Sequence, residues 1–273
     1  MLTLTSHAAV CAVFVDPTCG VPPARSDRSV GTLNWLRDNV CRFSNGAEHQ
    51  RRRALVEAEL EQIDTGRLRA AARDRARSEL TRAGDAAFDV LARVARPLPV
   101  GLLASALGVS DIEPVVESTI VVAAVYLRGP SSADVDAHIQ RLVGLLGPEA
   151  TEAAANRIGI LVQACNATAA LIDSALRLSR LCGEDWPVEA LIAETLRYDP
   201  PARSTQRECQ SCGQVALDLA AANRDPAVFE NADRFDPSRP PGGNLGFGYG
   251  PRSCPGQEQA TALASGVLEA ILP

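Results

Sequence analysis

The chain has 273 residues, of which 46% are apolar and 22% charged, and its formal net charge is −6. This length is enough for one large domain or two small ones, and the apolar content excludes intrinsic disorder. All 27 basic residues are arginine, and the acidic balance argues against nucleic-acid binding, which needs a basic surface. The sequence shows neither an uninterrupted membrane-length apolar run nor the basic start of a secretory signal, so we expect a cytoplasmic protein without a membrane span.

The first two thirds of the sequence predict one helix after another. Residues 47–62 and 67–82 have the spacing of amphipathic surface helices. The pattern over 148–181 is apolar on nearly every side, which predicts a helix in the middle of the protein. A further helix over 188–198 is stopped by Pro200 and its neighbouring proline, which cannot continue a helix.

The last third of the sequence is predicted to be mostly irregular from residue 200 to 247, with a final helix over 257–271. Ordered coil of such length usually carries function. With no internal repeat and no low-complexity linker, the sequence predicts a mainly α protein, a single domain over residues 1–273.

One loop, Phe247–Gly256, separates this coil from the final helix. It reads FGYGPRSCPG, in which three glycines and two prolines surround Cys254. Such a rigid loop lets its backbone approach a flat ligand and lets its amide hydrogens point at sulfur. A structural turn with a buried thiol is the alternative interpretation, because cysteine is often simply buried.

The loop resembles the haem-ligating signature of the cytochrome P450 family, F-G-x-G-x-[HR]-x-C-x-G, at every defined position. Glu194 and Arg197 are similar to the E-x-x-R helix of that family, and Arg239 fits the arginine that completes its ion-pair triad. His49 and Arg53 match the H-x-x-x-R helix that holds a haem propionate. These matches follow the order of the family across about residues 43 to 270.

The resemblance implies a cytochrome P450-like helical fold with reduced β content and haem b as the cofactor. Cys254 would be the axial iron ligand, in a loop shaped by Phe247, Gly248 and Gly256. Thiolate ligation gives the iron electron density that favours cleavage of an oxygen–oxygen bond. The predicted partners of the two propionates are His49, Arg53, Arg207 and Arg252.

Two of these assignments have simpler alternatives. The simpler interpretation of His49 and Arg53 is a solvated helix face, because Arg51 and Arg52 flank them in the sequence. Glu194 and Arg197 would form an ordinary surface pair at i, i+3 rather than the buried structural network with Arg239 that the family implies.

The predicted central helix departs from the family pattern above the haem. Thr168 matches the threonine of the proton relay, but Ala167 stands at the acid position and Cys165 at the glycine that opens the helix groove. Protons must then come from water, from the substrate or from Asn166 acting through water. This favours hydrogen peroxide as the oxidant, or haem chemistry without oxygen cleavage.

The chain is also short for the family. Residues 1–42 are expected to be a divergent N-terminal segment in which the usual sheet region and the loop that roofs the substrate pocket are largely absent. A shortened segment after Arg207 contains Cys209 and Cys212, which we interpret as two reduced surface thiols rather than a redox or zinc motif. A homodimer or a partner protein covering the exposed haem edge is a further expectation.

The resemblance implies a haem-thiolate monooxygenase or peroxygenase acting on a small or carrier-borne metabolite in biosynthesis, with a ferredoxin-type redox partner where dioxygen is used. One alternative keeps the haem but performs isomerisation, dehydration, or nitrogen–nitrogen or nitrogen–oxygen chemistry. A second alternative is a haem-free auxiliary partner of a glycosyltransferase, although such auxiliaries typically lack the ligand cysteine that Cys254 provides.

Overall fold

The protein is mainly helical with one small sheet, as the sequence predicts. A computed structural model describes residues 1–22, 29–84, 89–147, 151–183 and 185–272. The α-helices are α1 (His7–Val15), α2 (Leu33–Asp38), α3 (Gly46–Glu61), α4 (Thr65–Ala83), α5 (Pro97–Ala106), α6 (Ile112–Val125), α7 (Ala133–Leu146), α8 (Glu152–Cys182), α9 (Val188–Tyr198), α10 (Leu219–Ala222) and α11 (Gln257–Ile271). The helices predicted around residues 47–62, 67–82, 188–198 and 257–271 occur as α3, α4, α9 and α11.

Helix α8 forms the centre of the larger core. The predicted range 148–181 begins in part outside the described residues, and α8 itself starts at Glu152 after Thr151, whose side chain accepts from the amide of Ala154. Within the described chain, α8 is the helix long and apolar enough to cross a membrane, but 56% of its most apolar window is buried inside the protein. This burial is typical of a core helix, and α3, α5, α6, α7, α9 and α11 pack around it.

Helix α11 follows the cysteine loop and is held firmly against α4. A Cβ atom added at Gly266 would overlap the carbonyl oxygen of Arg69, so only glycine permits the observed approach of these two helices. Leu263 and Val267 of α11 are fully buried in the same core as α8. The packing fixes the start of α11, and therefore the end of the cysteine loop, relative to α8.

The sheet has four strands in the order β1-β4-β3-β2, where β1 is Leu2–Leu4, β2 is Cys19–Gly20, β3 is Ser204–Cys209 and β4 is Gly213–Asp218. β1 is parallel to β4, and the other two pairs are antiparallel. Residues 200–247 are mostly irregular, as predicted, but they also contain a regular hairpin, because residues 210–212 supply a turn that closes on Gly213, which has a φ of 69°. One expectation was wrong: the first twenty residues contribute two strands, so a sheet region is present there.

Cys209 is not a reduced surface thiol, contrary to expectation. The pairing of β2 with β3 places Cys19 opposite Cys209, and the two form a disulfide in a small core with Val10, Phe14 and Leu217. Local spacing concealed this because the partner lies 190 residues away. Cys212, the other cysteine of the motif, is exposed and free, in agreement with the prediction.

Replacing both Cys19 and Cys209 with alanine is expected to lower the free energy of unfolding by about 3 kcal/mol, because the cross-link restricts a very long loop in the unfolded chain. Urea unfolding under non-reducing conditions measures the change. Cys212→Ala is the matched control and should change the urea midpoint little, since Cys212 is exposed and forms no disulfide. Equal stability of the double variant and the control would contradict the prediction.

Candidate functional site

The cysteine loop is a tight backbone turn that begins directly after a buried anchor. Leu245 is buried, and its amide donates to Oδ1 of Asn223 at 2.7 Å. Gly248 and Gly250 then adopt φ values of 76° and 68°, which side chains with a Cβ atom rarely adopt. The amide of Cys254 donates to the carbonyl oxygen of Phe247 at 2.8 Å and closes the loop. The backbone, rather than flexible side chains, therefore sets the position of the cysteine.

The Cys254 sulfur lies in a recess that is open to solvent. The residue is exposed, yet desolvation by the surrounding protein raises the pKa of its thiol. A hydrogen bond from the amide of Gly256 acts in the opposite direction, and so do the positive charges of Arg53 and Arg42, which all favour the thiolate. An accessible sulfur with an amide donor is chemically suited to bind a soft metal ion such as haem iron.

Four predicted basic residues converge beside this recess. Arg53 donates from Nη1 to the carbonyl oxygen of Ser253 at 2.6 Å, which joins α3 directly to the cysteine loop. Arg252 donates from Nη2 to the carbonyl oxygen of Ser44 at 2.7 Å. Burial, together with the positive charges of Arg252 and Arg53, lowers the pKa of His49 to about 4, while the negative charge of Glu57 acts in the opposite direction. Glu57 pairs with Arg53 at 2.7 Å, so one carboxylate lies beside these cationic groups.

Arg207 is the most unusual member of the cluster because it is buried without a carboxylate partner among the described residues. Its Nη1 donates to Oγ1 of Thr205 at 3.1 Å and to the carbonyl oxygen of Gln206 at 2.8 Å. Its Nε has no hydrogen-bond partner, and its guanidinium lies 4.9 Å from the ring centre of Phe14. Burial and the charges of Arg252 and Arg42 lower its pKa to about 10. A buried, unsatisfied donor next to the recess calls for an anion there.

The alternative of a solvated face does not describe this part of α3. Arg52 is buried, and it donates to Oε1 of Glu152 at 2.6 Å and to the hydroxyl of Ser44 at 2.5 Å. Arg51 is exposed and also pairs with Glu152. The ion pairs of Arg51 and Arg52 with Glu152 link α3 to the start of α8. This role was missed because nothing in the local sequence distinguishes Arg52 from its neighbours.

Glu194, Arg197 and Arg239 meet behind the loop in a buried network. Glu194 accepts two hydrogen bonds from Arg197, at 2.6 and 2.8 Å, and Nε of Arg239 lies 3.5 Å from Oε2 of Glu194. Arg197 also donates to three carbonyl oxygens, and Glu194 accepts from the amide of Asp236 at 2.9 Å. The carbonyl groups belong to Asn223, Ala232 and Arg234. The network therefore fastens residues 223–239 to α9.

The two predicted proton-relay residues on α8 lie in different environments. Thr168 is buried, and its hydroxyl has no hydrogen-bond partner among the described residues. Asn166 is exposed and donates from Nδ2 to the carbonyl oxygen of Ala123 on α6 at 3.0 Å. Ala167 is exposed as well, whereas Cys165 is fully buried and desolvation raises its thiol pKa to about 11. Cys165 is therefore a small core residue rather than part of an open groove.

Two residues of the site were missed by sequence reasoning. Arg42 is exposed in the 3-10 turn Cys41–Phe43 that precedes α3. Its charge favours the thiolate of Cys254 and opposes the charges of Arg207 and Arg252. Phe14 of α1 covers the guanidinium of Arg207. Neither residue belongs to a family motif quoted above, so only the fold brings them to the recess.

Comparison with known proteins agrees with this geometry. The sequence profile of the family described as "Cytochrome P450" matches residues 188–272, which contain α9, the buried network, the cysteine loop and α11. The described residues also superpose on solved members of that family over nearly the whole chain. The chain is similar to the cytochrome P450 family in sequence over residues 188–272 and in fold over nearly its whole length.

Two curated cytochrome P450 relatives match about a third of this chain. The "Biotin biosynthesis cytochrome P450" of Bacillus subtilis (strain 168) is 38% identical over 92 residues, which are 30% of this chain and 23% of the relative. "Cytochrome P450-terp" of Pseudomonas sp is 34% identical over 97 residues, which are 32% of this chain and 23% of the relative. The matched part thus spans about a quarter of the length of these curated relatives.

Solved P450 structures extend the similarity to the fold of the whole chain. The crystal structure of P450BioI in complex with acyl carrier protein ligated by hexadec-9Z-enoic acid superposes with a TM-score of 0.82 and 23% identity, covering 99% of this chain and 84% of that one. A thermophilic cytochrome P450 from Sulfolobus tokodaii gives a TM-score of 0.77 and 21% identity, covering 98% and 85%. At these identities the superpositions establish the fold alone.

The residues of this chain fit haem, the cofactor of the family it resembles. The accessible sulfur of Cys254 suits the iron, and the unsatisfied Nε of Arg207 suits a propionate. Arg53, Arg252 and His49 would share the remaining negative charge, since Arg252 and Arg53 lie close enough to His49 for their charges to lower its pKa. These assignments are proposals that rest on the chemistry of the donors.

The titration of His49 provides a test of that fit. Without an anion its pKa is about 4, below the ordinary 6.5, so the folded protein binds fewer protons than the unfolded chain and loses stability as the pH falls from about 6.5 towards 4. Diamagnetic zinc protoporphyrin should raise the pKa of His49, because its two carboxylates favour the imidazolium. NMR titration of the ring proton, assigned with His49→Gln, measures both values.

Zinc protoporphyrin dimethyl ester is the matched control for His49, since it has the same ring without the two carboxylates. It should leave the pKa near 4. If the dimethyl ester raises the pKa of His49 as much as the free acid does, or if the free acid does not raise it, His49 does not interact with the propionates.

Proposed function

We propose that this protein is a haem-thiolate oxidoreductase that oxidises a small or carrier-borne metabolite in a biosynthetic pathway. The observation that carries the proposal is the exposed Cys254 sulfur in a recess beside Arg207, which is buried with an unsatisfied Nε and without a carboxylate partner among the described residues. When bound, haem with a thiolate ligand supplies the electron density that favours oxygen–oxygen bond cleavage. The relative named for biotin biosynthesis and the carrier-protein complex of P450BioI support the substrate class.

The residues of the chain divide the work in this proposal. Cys254 binds iron, and its charge is stabilised by the Gly256 amide. Arg53 and Arg207 would hold the propionates. On the α8 side of the site, Cys165 and Thr168 are buried and exclude water, whereas Asn166 and Ala167 are exposed.

We also propose a cytoplasmic location, and the packing of α8 inside the protein speaks against a membrane span. The disulfide between Cys19 and Cys209 would be an exception in that reducing compartment.

Helix α8 favours hydrogen peroxide over dioxygen as the oxidant. It carries no acidic residue from Gln163 to Ile172, and the Asn166 amide group is held by the carbonyl of Ala123. Dioxygen activation needs two electrons and two delivered protons, whereas hydrogen peroxide contains both. The overall reaction would convert a C–H bond and one hydrogen peroxide into an alcohol and water.

The haem-thiolate assignment is tested by reconstituting the purified protein with haem and recording the spectrum of its reduced carbon monoxide complex. We expect one haem per chain and the strongly red-shifted Soret band of a thiolate complex. Absence of both would exclude the oxidoreductase and favour the haem-free auxiliary protein, for which co-purification with a glycosyltransferase is the independent measurement.

The oxidant is tested with thioanisole, a small sulfide whose conversion to the sulfoxide takes up one oxygen atom. Hydrogen peroxide should support faster turnover than NADPH with ferredoxin and ferredoxin reductase. Ala167→Glu should raise the reductase-dependent rate by roughly a hundredfold, since it restores an acid at the relay position. Reductase-dependent turnover faster than peroxide-dependent turnover in the unaltered protein would contradict the peroxide proposal.

The expected homodimer is a separate question, which the mass from light scattering answers.

A further inference from the structure

A second feature, which we call the arginine pocket, lies at one side of the cysteine recess. It is a cavity of about 660 Å³ between the end of α6, helix α2, the 3-10 turn before α3 and the start of β3. Its lining includes Arg37, Arg42, Phe43, Leu127, Arg128 and Thr205. This volume is typical of small-molecule binding sites in proteins.

The charge of the arginine pocket is opposite to that of the chain. The protein carries a net charge of −6, yet the described residues that line the pocket include Arg37, Arg42 and Arg128 and no aspartate or glutamate. Arg42 and Arg128 are exposed, and neither has a carboxylate within salt-bridge distance in the described part of the chain. Two exposed guanidinium groups that line one cavity form a favourable site for an anion.

Arg37 has a different role, because its hydrogen bonds build the wall of the pocket. It donates from Nε to the carbonyl oxygen of Tyr126 at 2.8 Å and from Nη2 to those of Val125 and Gly129 at 2.7 and 2.9 Å. The amide of Gly129 also donates to the carbonyl oxygen of Val125 at 2.7 Å, so Arg37 adds to a turn that the backbone already closes at the end of α6. Arg37 therefore helps to fix the turn that carries Arg128 and also adds a positive charge to the cavity.

The remainder of the lining is suited to an apolar body. Phe43 is half-buried and packs edge-to-face on Tyr126 with ring centres 5.5 Å apart. Leu127 is 55% exposed beside it, which is unusual for a large aliphatic side chain. Val21 and Pro22 add further apolar surface. The cavity thus combines apolar walls with cationic side chains, as an amphipathic anion would require.

The arginine pocket adjoins the proposed haem site but does not share its anion partners. Thr205 lines the pocket and accepts a hydrogen bond from Arg207, and the charge of Arg42 acts on the thiol of Cys254. None of His49, Arg53, Arg207 and Arg252 lines the pocket. A ligand whose anion lies at Arg42 and Arg128 would therefore extend towards the recess without competing for the propionate partners.

We propose that the arginine pocket binds the anionic end of an amphipathic substrate, a carboxylate or a phosphate ester on an apolar body. This inference rests on the proposed function, because it names the substrate class of the same site. A free acid would offer the carboxylate, and a carrier-borne substrate would offer a phosphate.

The test compares dodecanoate, dodecyl phosphate and dodecanamide by titration calorimetry on the haem-loaded protein. Both anions should bind about tenfold or more tightly than the amide, since a hydrogen bond to a charged group is worth roughly that factor. Tighter binding of dodecanoate would indicate a free acid as the substrate, and tighter binding of dodecyl phosphate would indicate a carrier-borne substrate. Raising the salt concentration should reduce the preference, because Arg42 and Arg128 are exposed.

Arg128→Gln should reduce the preference for anions to about threefold or less, and its haem content should stay unchanged because Arg128 is not one of the residues around the cysteine recess. Arg141→Gln is the control, since Arg141 is also exposed but pairs with Glu117 on another surface. Equal binding of all three probes, or an undiminished preference in Arg128→Gln, would overturn the inference.

The same titrations on apoprotein separate this inference from the proposed function. An anion preference without any haem binding would leave the pocket standing and overturn the oxidoreductase. A normal thiolate spectrum with no anion preference would overturn the pocket alone.

Discussion

Cys254→Ala is expected to abolish the thiolate signature of the reduced carbon monoxide complex and to reduce haem retention by at least about tenfold. The sulfur is the accessible soft ligand of the recess, and the loop backbone around it offers amide groups rather than a second metal ligand. The loop itself should persist, because its turn is set by Gly248, Gly250 and the bond between Cys254 and Phe247 backbones. Haem titration followed by the carbon monoxide spectrum measures both effects.

Two further variants make the Cys254 experiment decisive. Cys254→His should keep an axial ligand, and therefore much of the haem affinity, but lose the red-shifted band that requires sulfur. Cys212→Ala, at an exposed free thiol in the β3–β4 turn, should leave both readouts unchanged. A thiolate spectrum that survives in Cys254→Ala would assign the ligand to another cysteine.

Glu194→Ala is expected to lower the free energy of unfolding by about 3 to 5 kcal/mol, because it leaves Arg197 buried without its counter-charge. It also removes the acceptor of the Asp236 amide and the partner of Arg239. The segment 223–239 should then lose its attachment to α9, with the greatest loss of hydrogen-exchange protection there. Urea unfolding gives the total cost.

Glu189→Ala is the matched control on the same helix. Glu189 is 59% exposed and pairs with Arg69 at the surface, so its removal should cost less than about 1 kcal/mol. If Glu194→Ala does not accumulate in folded form, the conservative Glu194→Gln provides the measurement. A cost in Glu194→Ala no larger than that of the control would show that the network adds nothing to stability.

Replacing the whole buried pair with Glu194→Leu and Arg197→Met is not expected to restore stability. In many proteins an apolar pair of similar size is neutral or better than a buried ion pair. Here Arg197 also donates hydrogen bonds to the carbonyl groups of Asn223, Ala232 and Arg234, which would be left buried without donors. Full recovery in the double variant would indicate that the ionic pair, not these carbonyl contacts, limits stability.

The sequence alone determined the features that depend on local pattern. The positions of α3, α4, α9 and α11 follow from the 3.6-residue spacing of apolar side chains and from the residues that interrupt it. The burial of α8 follows from its apolar character on nearly every side. The family resemblance followed from a loop in which glycines and prolines surround one cysteine, because such a backbone tolerates few substitutes.

The tertiary structure alone decided the features that join distant segments. Cys19 and Cys209 are 190 residues apart, and only the pairing of β2 with β3 brings them together. The arginine pocket likewise combines Arg42, Arg128 and Thr205, which belong to three separate segments and to no common motif. Periodicity records which side of an element is apolar, but it carries no information on which other element will cover that side. Contacts between distant elements are set by packing, and packing also determined that Arg52 is buried while Arg42 is exposed beside the recess.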